Sequence, residues 1–445
     1  MEGARCKMSS VQDFLSFVKS APTAFHAASA AAKALEAAGF SQVYEERPFS
    51  PNPGGKYYFL RGGSAVIAFV LPENGFWHFQ IVASHADSPT FKLKGFEEAE
   101  SCSLLRLPAE GYGGMIRHSW LDRPLSVAGR IIIRTDSGLS SRLVNLDRDL
   151  VLIPSLPIHM NREVNKGTEL NPQVDLYPVT GEASSRNRFR STVAESAECE
   201  PDDLIAGDLF LYNRTPGSIW GVDNAFFSCP RIDDLECVFA SLVAFLNADV
   251  PANHVNLFAM FDNEEVGSGS QQGADSDFLS SVLQRICSAC DTPKEPAIAS
   301  SFMVSADNAH AAHPAHPEKY DEQYRCRMNG GVVIKHSAPL RYTTNAESDA
   351  VFSEILRQAG VPVQHFWNRS DLPGGSTLGH IAVTHTSMRT IDVGLAQLAM
   401  HSSYETAGVH DLDSMIKALE AFYQTEIQFN GTGSVGFKAK QNPSR

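Results

Sequence analysis

The spacing of apolar residues changes twice along the chain and predicts three regions. Helical spacing at 11–19 precedes an alanine-rich helical segment at 22–38, which stops at Gly39, a residue typical of helix C-termini. Three short apolar runs follow and predict strands at 56–60, 64–71 and 77–84. The first region therefore mixes helices and strands.

The second region lacks helical spacing. Segments 126–135 and 143–154 have the composition of strands joined by turns. Residues 181–203 are polar and rich in serine and glutamate, and we predict a mobile loop there. The pattern indicates a β-rich domain over residues 97–227.

Helices and strands alternate again after Arg231. The apolar spacing predicts helices at 235–246, 278–290, 348–360 and 412–424, and strands at 254–261, 300–305 and 389–393. Such alternation is typical of an α/β fold. We therefore predict one discontinuous α/β domain, residues 1–96 and 228–445, with the β-rich domain inserted into it.

Composition and charge exclude two classes of partner. The 445 residues include 37 Lys and Arg but 51 Asp and Glu, a formal net charge of -14, and no basic block compensates for it. We therefore expect no nucleic-acid partner. No apolar run reaches the ~18 residues needed to span a bilayer, so we expect no membrane span. The N-terminus lacks a signal-peptide pattern, and the eight cysteines do not form a disulfide framework, so we predict a cytoplasmic protein.

Two adjacent glutamates, Glu264 and Glu265, follow the buried strand predicted at 254–261. Burying two neighbouring carboxylates is costly unless a cation lies beside them. Basic side chains or metal ions could both supply that charge, and the pair alone does not decide between them.

Metal-ligating residue types recur near the carboxyl ends of predicted strands: His85, Asp233, Glu265, Asp307 and His401. Ligands bind at this edge of an open α/β sheet. Two histidines and three carboxylates suit two zinc-class ions if one carboxylate bridges them. Glu264 then remains as a general base, and Asp87 can orient the His85 ring.

Each of these residues has an ordinary structural interpretation when taken alone. Asp233 precedes a helix, where an N-cap residue is common. His85 and His401 could be structural histidines, and Glu264 with Glu265 could form a solvated turn. The shared position at strand ends is what favours a two-metal hydrolase.

The residues around these positions match a known family. The matching blocks run in family order across nearly the whole chain: 84–89, 230–235, 262–268, 305–310, 333–335, 341–342, 369–371, 375–377 and 397–402. On these blocks the chain resembles the aspartyl aminopeptidases, dinuclear zinc exopeptidases. Departures at Ala86, Asp234, Asn263 and Gly374 remove neither a predicted ligand nor the predicted base.

The resemblance implies a fold and a metal centre. The fold would be a three-layer α/β/α zinc-peptidase domain with an inserted β-rich lid and dimerisation domain. One zinc ion would be bound by His85, Asp233 and Asp307, and the other by Asp233, Glu265 and His401, with cobalt or manganese as substitutes. Asp233 would bridge the ions, Glu264 would be the base, and Asp87 would hold His85.

The resemblance also implies a substrate and an assembly. The family removes N-terminal Asp or Glu from peptides, so Lys335 would bind the substrate carboxylate beside His310 and Tyr342. The loop of Gly375, Ser376 and Thr377 would present backbone N–H groups to the peptide. His159 would reach the active site of a neighbouring subunit in a homo-dodecamer built from dimers.

Two alternatives stay open at this point. One is a related two-zinc exopeptidase or deacylase of neutral specificity, against which Lys335 argues. The other is a non-catalytic, metal-dependent scaffold, which would need no general base such as Glu264.

Overall fold

Helices occupy mainly the two terminal parts of the chain. The computed structural model describes residues 10–431 and 433–439, the last two by their backbone alone. In these ranges the α-helices are α1 Ser10–Ser20, α2 Ala24–Ala37, α3 Arg188–Ser196, α4 Ile232–Asn247, α5 Phe278–Ala289, α6 Lys294–Ala299, α7 Ala346–Ala359, α8 Leu378–His385 and α9 Val409–Gln424.

Strands occur throughout the described chain. They are β1 Ser41–Val43, β2 Lys56–Arg61, β3 Ala65–Val70, β4 His78–His85, β5 Thr90–Leu93, β6 Ala99–Ser101, β7 Leu104–Arg106, β8 Ala109–Tyr112, β9 Leu125–Thr135, β10 Gly138–Asn145, β11 Val179–Glu182, β12 Leu204–Asn213, β13 Ser218–Trp220, β14 Phe226–Cys229, β15 His254–Phe261, β16 Phe302–Ala306, β17 Ala309–His310, β18 Val332–His336, β19 Val363–Trp367, β20 Arg389–Gly394, β21 Ala396–Leu398, β22 Glu405–Gly408, β23 Thr425–Phe429 and β24 Val435–Ala439.

The largest sheet has nine strands in the order β1-β2-β3-β15-β4-β16-β20-β18-β19. Its centre is parallel, because β4 pairs in parallel with both β15 and β16. All eight residues of β4 and of β15 are buried, which their continuous apolar runs require. The register places His85 opposite Phe261, so the ends of these two strands meet at one edge.

Helices cover both faces of this sheet. One face packs against α1, α2, α4, α7 and α9 through side chains such as Phe14, Leu235 and Leu419. The other face packs against α5, α6 and α8 through side chains such as Phe278 and Leu283. The predicted three-layer α/β/α architecture is confirmed.

A second set of strands has its own core. Strands β10, β9, β12, β5 and β8 form a five-stranded antiparallel sheet in that order, and β11, β7 and β6 form a smaller one. Phe91, Trp120, Ile131 and Leu209 lie in the hydrophobic core of this part. Because β5 begins at Thr90, the five-stranded sheet starts before residue 97, the predicted first residue of the β-rich domain. Strand β14, at the other end of this region, pairs with β22 of the C-terminal part.

The loop predicted at 181–203 is wrong in its centre. Helix α3 forms there and buries Phe189, Val193 and Ala194. These apolar residues are spaced four and one apart, which places them on one helical face among many polar neighbours. The strand predicted at 143–154 is also too long, since β10 ends at Asn145 and Val151 forms only an isolated bridge.

Candidate metal centre

The carboxyl ends of β4, β15 and β16 bring three of the predicted ligands together, and the start of α4 adds a fourth. His85 is the last residue of β4, and Asp307 directly follows β16. Glu265 lies in the short 3-10 turn Glu264–Val266 beyond β15. Asp233 lies at the start of α4, where its backbone angles and those of Asp234 depart from helical values.

Asp233 lies between the two histidines. Its Oδ1 is 3.5 Å from Nε2 of His85, and its Oδ2 is 3.4 Å from Nε2 of His401. Nε2 of His85 also lies 3.9 Å from Oδ1 of Asp307, and Nε2 of His401 lies 3.4 Å from Oε2 of Glu265. The two oxygens of the Asp233 carboxylate thus face different histidines. His85 also lies beside Asp307, and His401 beside Glu265, which is the arrangement expected of a bridging ligand.

The hydrogen bonds of both histidines leave Nε2 directed at the carboxylates. Nδ1 of His85 donates to the Asp87 carbonyl oxygen at 3.2 Å, and Nδ1 of His401 donates to the Gly114 carbonyl oxygen at 2.7 Å. Oδ1 of Asp233 and Oε1 of Glu265 are buried without a hydrogen-bond partner among the described residues. Buried carboxylate oxygens of this kind are stabilised by a nearby cation, so the donor set fits two metal ions.

Electrostatics at the centre favour bound positive charge. Burial lowers the pKa of His401, but the hydrogen bond to Asp233 and the charge of Glu265 outweigh burial and raise it to about 10. Burial raises the pKa of Glu265 well above its usual range, and nearby Asp233 adds to that increase. The carboxylates therefore stabilise cations and destabilise one another, and divalent ions can replace the protons on the two rings.

Comparisons with known proteins match almost the whole chain to one family. Residues 17–423 match the family described as Aminopeptidase I zinc metalloprotease (M18). A probable M18 family aminopeptidase 2 of Clostridium acetobutylicum is 43% identical over 422 residues, covering 92% of this chain and 97% of the relative. A probable M18 family aminopeptidase 2 of Ectopseudomonas mendocina is 37% identical, and the match covers 93% of this chain and 98% of the relative.

The chain belongs to the M18 family of zinc aminopeptidases. Solved structures share the fold. A cryo-EM structure of the Ape4 and Nbr1 complex gives a TM-score of 0.91 at 32% identity, covering 94% of this chain and 87% of that one. A structure of the S. cerevisiae mApe1 dodecamer gives a TM-score of 0.82 at 28% identity, covering 93% of this chain and 95% of that one. No helix in the described ranges of this M18 aminopeptidase is both long and apolar enough to cross a membrane.

Asp87 connects the first histidine of the M18 aminopeptidase to the paired glutamates. Its Oδ1 lies 3.4 Å from Nδ1 of His85 and accepts the backbone N–H of Glu264 at 3.1 Å. Its Oδ2 accepts the N–H of Glu265 at 3.1 Å and the Tyr112 hydroxyl at 2.8 Å. One buried carboxylate therefore fixes both the His85 ring and the turn that carries Glu264 and Glu265.

Residues 112–116, at and after the end of β8, contact His401 directly and contact Asp87, the partner of His85. Besides the Tyr112 hydroxyl and the Gly114 carbonyl, the backbone N–H of Ile116 donates to the His401 carbonyl at 2.9 Å. Gly113 has a φ of +76°, and a Cβ there would lie 3.1 Å from Cβ of Glu265. Glycine therefore avoids both backbone strain and a tight contact at this close approach to the centre.

A cavity beside the centre brings together most of the predicted substrate residues. Its walls include Glu264, Lys335, His310, Tyr342, Gly375, Ser376 and Thr377. Nζ of buried Lys335 donates to the carbonyl oxygens of Asp307 at 2.7 Å and Asn308 at 3.1 Å. It also lies 5.3 Å from the centre of the Tyr342 ring. Two of the three ammonium hydrogens are thus used, and Nζ also lies 3.8 Å from Oδ2 of Asp307, with which it forms an ion pair.

The Thr377 hydroxyl faces the protein. It donates to Oδ1 of Asp392 at 2.5 Å, and Oδ2 of Asp392 accepts the backbone N–H and the hydroxyl of Thr343. Asp392 is fully buried in β20 and so connects the loops on either side of the cavity. Gly375 and Ser376 are the exposed members of the predicted substrate loop.

His159 does not reach the centre of its own chain. It lies in an exposed turn of the inserted part, between Ile158 and Met160, and is not on the cavity wall. Its predicted action on a neighbouring subunit stays a prediction.

Two buried acids at the centre were missed from the sequence. Glu405 accepts the backbone N–H of His401 at 2.7 Å and of Asp233 at 3.1 Å, and so fixes two ligands. Asp234 accepts the backbone N–H of His85 at 3.2 Å. The signal for Glu405 was its position four residues after His401, and for Asp234 its position beside Asp233.

Proposed function

We propose that this M18 aminopeptidase removes N-terminal Asp and Glu residues from peptides. The observation that carries the proposal is the buried ammonium group of Lys335 in the wall of the cavity that also contains the metal-ligand set. A buried cation that donates only two hydrogen bonds, both to carbonyl oxygens, favours a carboxylate ligand over an apolar side chain. This supports acidic specificity at the first residue of the peptide.

The proposed ligand sets are those that the family resemblance implies, and the distances from Asp233 to His85 and His401 support its role as the bridge. His85, Asp233 and Asp307 would bind one zinc ion, and Asp233, Glu265 and His401 the other, with cobalt or manganese as substitutes. When bound, the two ions would polarise the scissile carbonyl and increase the acidity of the attacking water. The remaining chemistry belongs to side chains of the chain itself.

Glu264 is the proposed general base. Burial raises the pKa of Glu264 to about 7, with the charges of Asp307 and Asp87 adding to the increase against that of His85. A carboxylate of that basicity accepts a proton from the attacking water and can pass it to the leaving amine. Asp87 keeps the turn in place through its hydrogen bond with the Glu264 N–H.

Three further groups would position the peptide. His310 and Tyr342 lie beside Lys335 in the cavity wall, where they would contact the acidic side chain or its backbone. The loop of Gly375 and Ser376 would offer backbone N–H groups, with Thr377 anchoring it to Asp392. Each contact would favour one orientation of the peptide N-terminus.

We further propose a homo-dodecamer built from dimers, located in the cytoplasm, with the inserted domain as lid and dimerisation surface. The mApe1 relative is described as a dodecamer. In this chain the apolar side chains of Leu156, Ile158 and Met160 are exposed around His159, as expected for a contact between subunits. Light scattering should give about twelve times the 48.5 kDa chain mass.

An activity panel tests the proposed specificity. Asp-, Glu-, Leu- and Lys-reporter substrates are compared before chelation, after chelation and after zinc is restored. We expect Asp and Glu turnover at least ~100-fold above Leu and Lys in kcat/KM, lost on chelation and regained with zinc. Equal turnover of all four would favour the exopeptidase of neutral specificity, and no turnover in any state would favour the scaffold.

A further inference from the structure

A second group of side chains of metal-ligating types lies near the edge of the large sheet, on the opposite face of β18 from Lys335. Strand β18 directs Val333 and Lys335 to the cavity side, whereas Val332, Ile334 and the following His336 face α7. His336 meets His365 of β19 and Asp349 of α7 there. We call these three residues the edge cluster.

Three potential ligand atoms of the edge cluster lie within 3.9 Å of one another. Nε2 of His336 lies 3.0 Å from Nδ1 of His365 and 3.7 Å from Oδ2 of Asp349. Nδ1 of His365 lies 3.9 Å from the same carboxylate oxygen. Ligand atoms around a tetrahedral zinc ion with bonds of ~2.0–2.1 Å stand about 3.3–3.4 Å apart. Each separation in the cluster is therefore within a side-chain adjustment of that value.

We propose that His336, Asp349 and His365 form a third metal site that binds a divalent ion of the zinc class. Two imidazole nitrogens and one carboxylate oxygen are a common three-ligand set for such ions, and water would complete the coordination. The site is independent of the proposed peptidase specificity, because it shares no ligand with the centre around Asp233.

The surroundings of the edge cluster prepare it for a metal. Ser353 donates its hydroxyl to Oδ1 of Asp349 at 2.8 Å, which leaves Oδ2 directed at the rings. The His336 ring stacks on Trp367, with centroids 4.8 Å apart and planes 4° from parallel. These contacts fix the carboxylate and one ring before an ion binds, so less conformational entropy is lost on binding.

Solvent can reach the edge cluster. The side chains of His336, Asp349 and His365 are 11%, 25% and 39% exposed, respectively. Burial lowers the pKa of His336, and the nearby charge of His365 adds to the decrease, against Asp349. A bound ion would tie the outermost strand β19 and helix α7 to β18.

Zinc stoichiometry tests the proposal on the full-length protein. Samples are equilibrated with zinc chloride in a zinc-buffered solution, and bound zinc is measured by mass spectrometry. We expect the wild type to bind one more zinc ion per subunit than His365→Ala or Asp349→Asn, with the same aminopeptidase activity in all three. His385→Ala is the matched control, because His385 forms a histidine–carboxylate pair with Asp275 at 2.7 Å outside the cluster.

Fluorescence gives a second readout that reports on this location. Nickel bound at His336 should quench the emission of the stacked Trp367. Trp367→Phe should remove that quenching while keeping the extra equivalent of zinc, and His365→Ala should remove both. Equal zinc content in the wild type and the two cluster variants would overturn the proposal, as would quenching that persists in His365→Ala. The edge cluster would then be a hydrogen-bonded histidine pair with an ion-paired aspartate.

Discussion

At the scale of single residues, the paired glutamates differ in what surrounds them. Oε2 of Glu265 lies 3.4 Å from Nε2 of His401, and its Oε1 is buried without a hydrogen-bond partner among the described residues. Glu264 lies in the same turn and lines the substrate cavity. These different contacts are consistent with Glu265 as a metal ligand and Glu264 as the proposed base.

Glu264→Gln should lower kcat for an Asp reporter by about 100-fold to 10,000-fold, because the amide cannot accept a proton from water. Metal content should stay at the wild-type level, since the amide has the same size and Glu264 is not a proposed ligand. Both quantities can be measured on one preparation. Wild-type kcat in this variant would exclude Glu264 as the base.

Thr377→Val should raise KM for the Asp reporter more than it lowers kcat. The substitution removes the hydrogen bond to Asp392 and leaves a buried acceptor without one partner, at a cost of about 1–3 kcal/mol. The substrate loop would then be less well fixed. Thr377→Ser keeps the hydroxyl and is the control. If the serine variant has a KM as high as that of the valine variant, loss of the hydrogen bond is not the cause of the increase.

At the scale of elements, the sequence predicts the buried strands best. The strand predicted at 254–261 coincides with β15, because a continuous apolar run bounded by polar turns has few other solutions. Helix α3 was missed because only three of its nine residues are buried. Composition over a long segment hides so short an apolar face.

Long-range contacts explain what the sequence could not predict at the site. Glu405 fixes His401 and Asp233, but only the second contact joins distant parts of the chain. Asp392 connects Thr343 and Thr377 from within the strand predicted at 389–393. The Tyr112 and Gly114 contacts depend on how the inserted part packs against the α/β domain. No local pattern encodes such packing.

The pairing of β4 with β15 predicts a loss of stability at acidic pH. Burial lowers the pKa of His254 to about 4, and stacked His78 adds to the decrease. The unfolded chain binds this proton below its ordinary pKa of about 6.5, whereas the folded chain does not. The stabilisation is therefore complete above that value and is lost as pH falls toward 4.

His254→Gln should reduce this pH dependence. Glutamine can still donate to the Tyr423 carbonyl, which accepts from His254 at 3.1 Å, but it does not titrate. Urea unfolding of both proteins at about pH 7.5 and pH 5 should show a smaller loss for the variant, by about 2 kcal/mol. The metal centre is the same in both proteins, so its own pH dependence cancels. Equal losses would contradict the assignment.

At the scale of the whole molecule, the metal centre joins distant parts of the chain. The five proposed ligands come from separate segments of the chain: His85, Asp233, Glu265, Asp307 and His401. Residues 112–116 add a hydrogen bond to the His401 ring and one to Asp87, the carboxylate beside His85. The ligand carboxylates are buried and destabilise one another. Bound cations should therefore stabilise the fold as a whole.

Removal of metal should lower the melting temperature. Ions that bind only the folded state stabilise it by about 2.7 kcal/mol at a hundredfold excess over Kd, which corresponds to several degrees. We expect chelation to decrease Tm and added zinc to restore it, as followed by calorimetry. An unchanged Tm after confirmed metal loss would mean that the carboxylate cluster is stable without cations.

The specificity of Lys335→Met tests the central claim most directly. Methionine keeps the approximate length of the side chain but cannot bind a carboxylate, and metal analysis checks that the neighbouring Asp307 still holds its ion. We predict that kcat/KM for the Asp reporter falls by about 100-fold, while kcat/KM for the Leu reporter changes by less than about threefold. An equal decrease for both reporters, with metal content unchanged, would contradict the acidic specificity proposed for this M18 aminopeptidase.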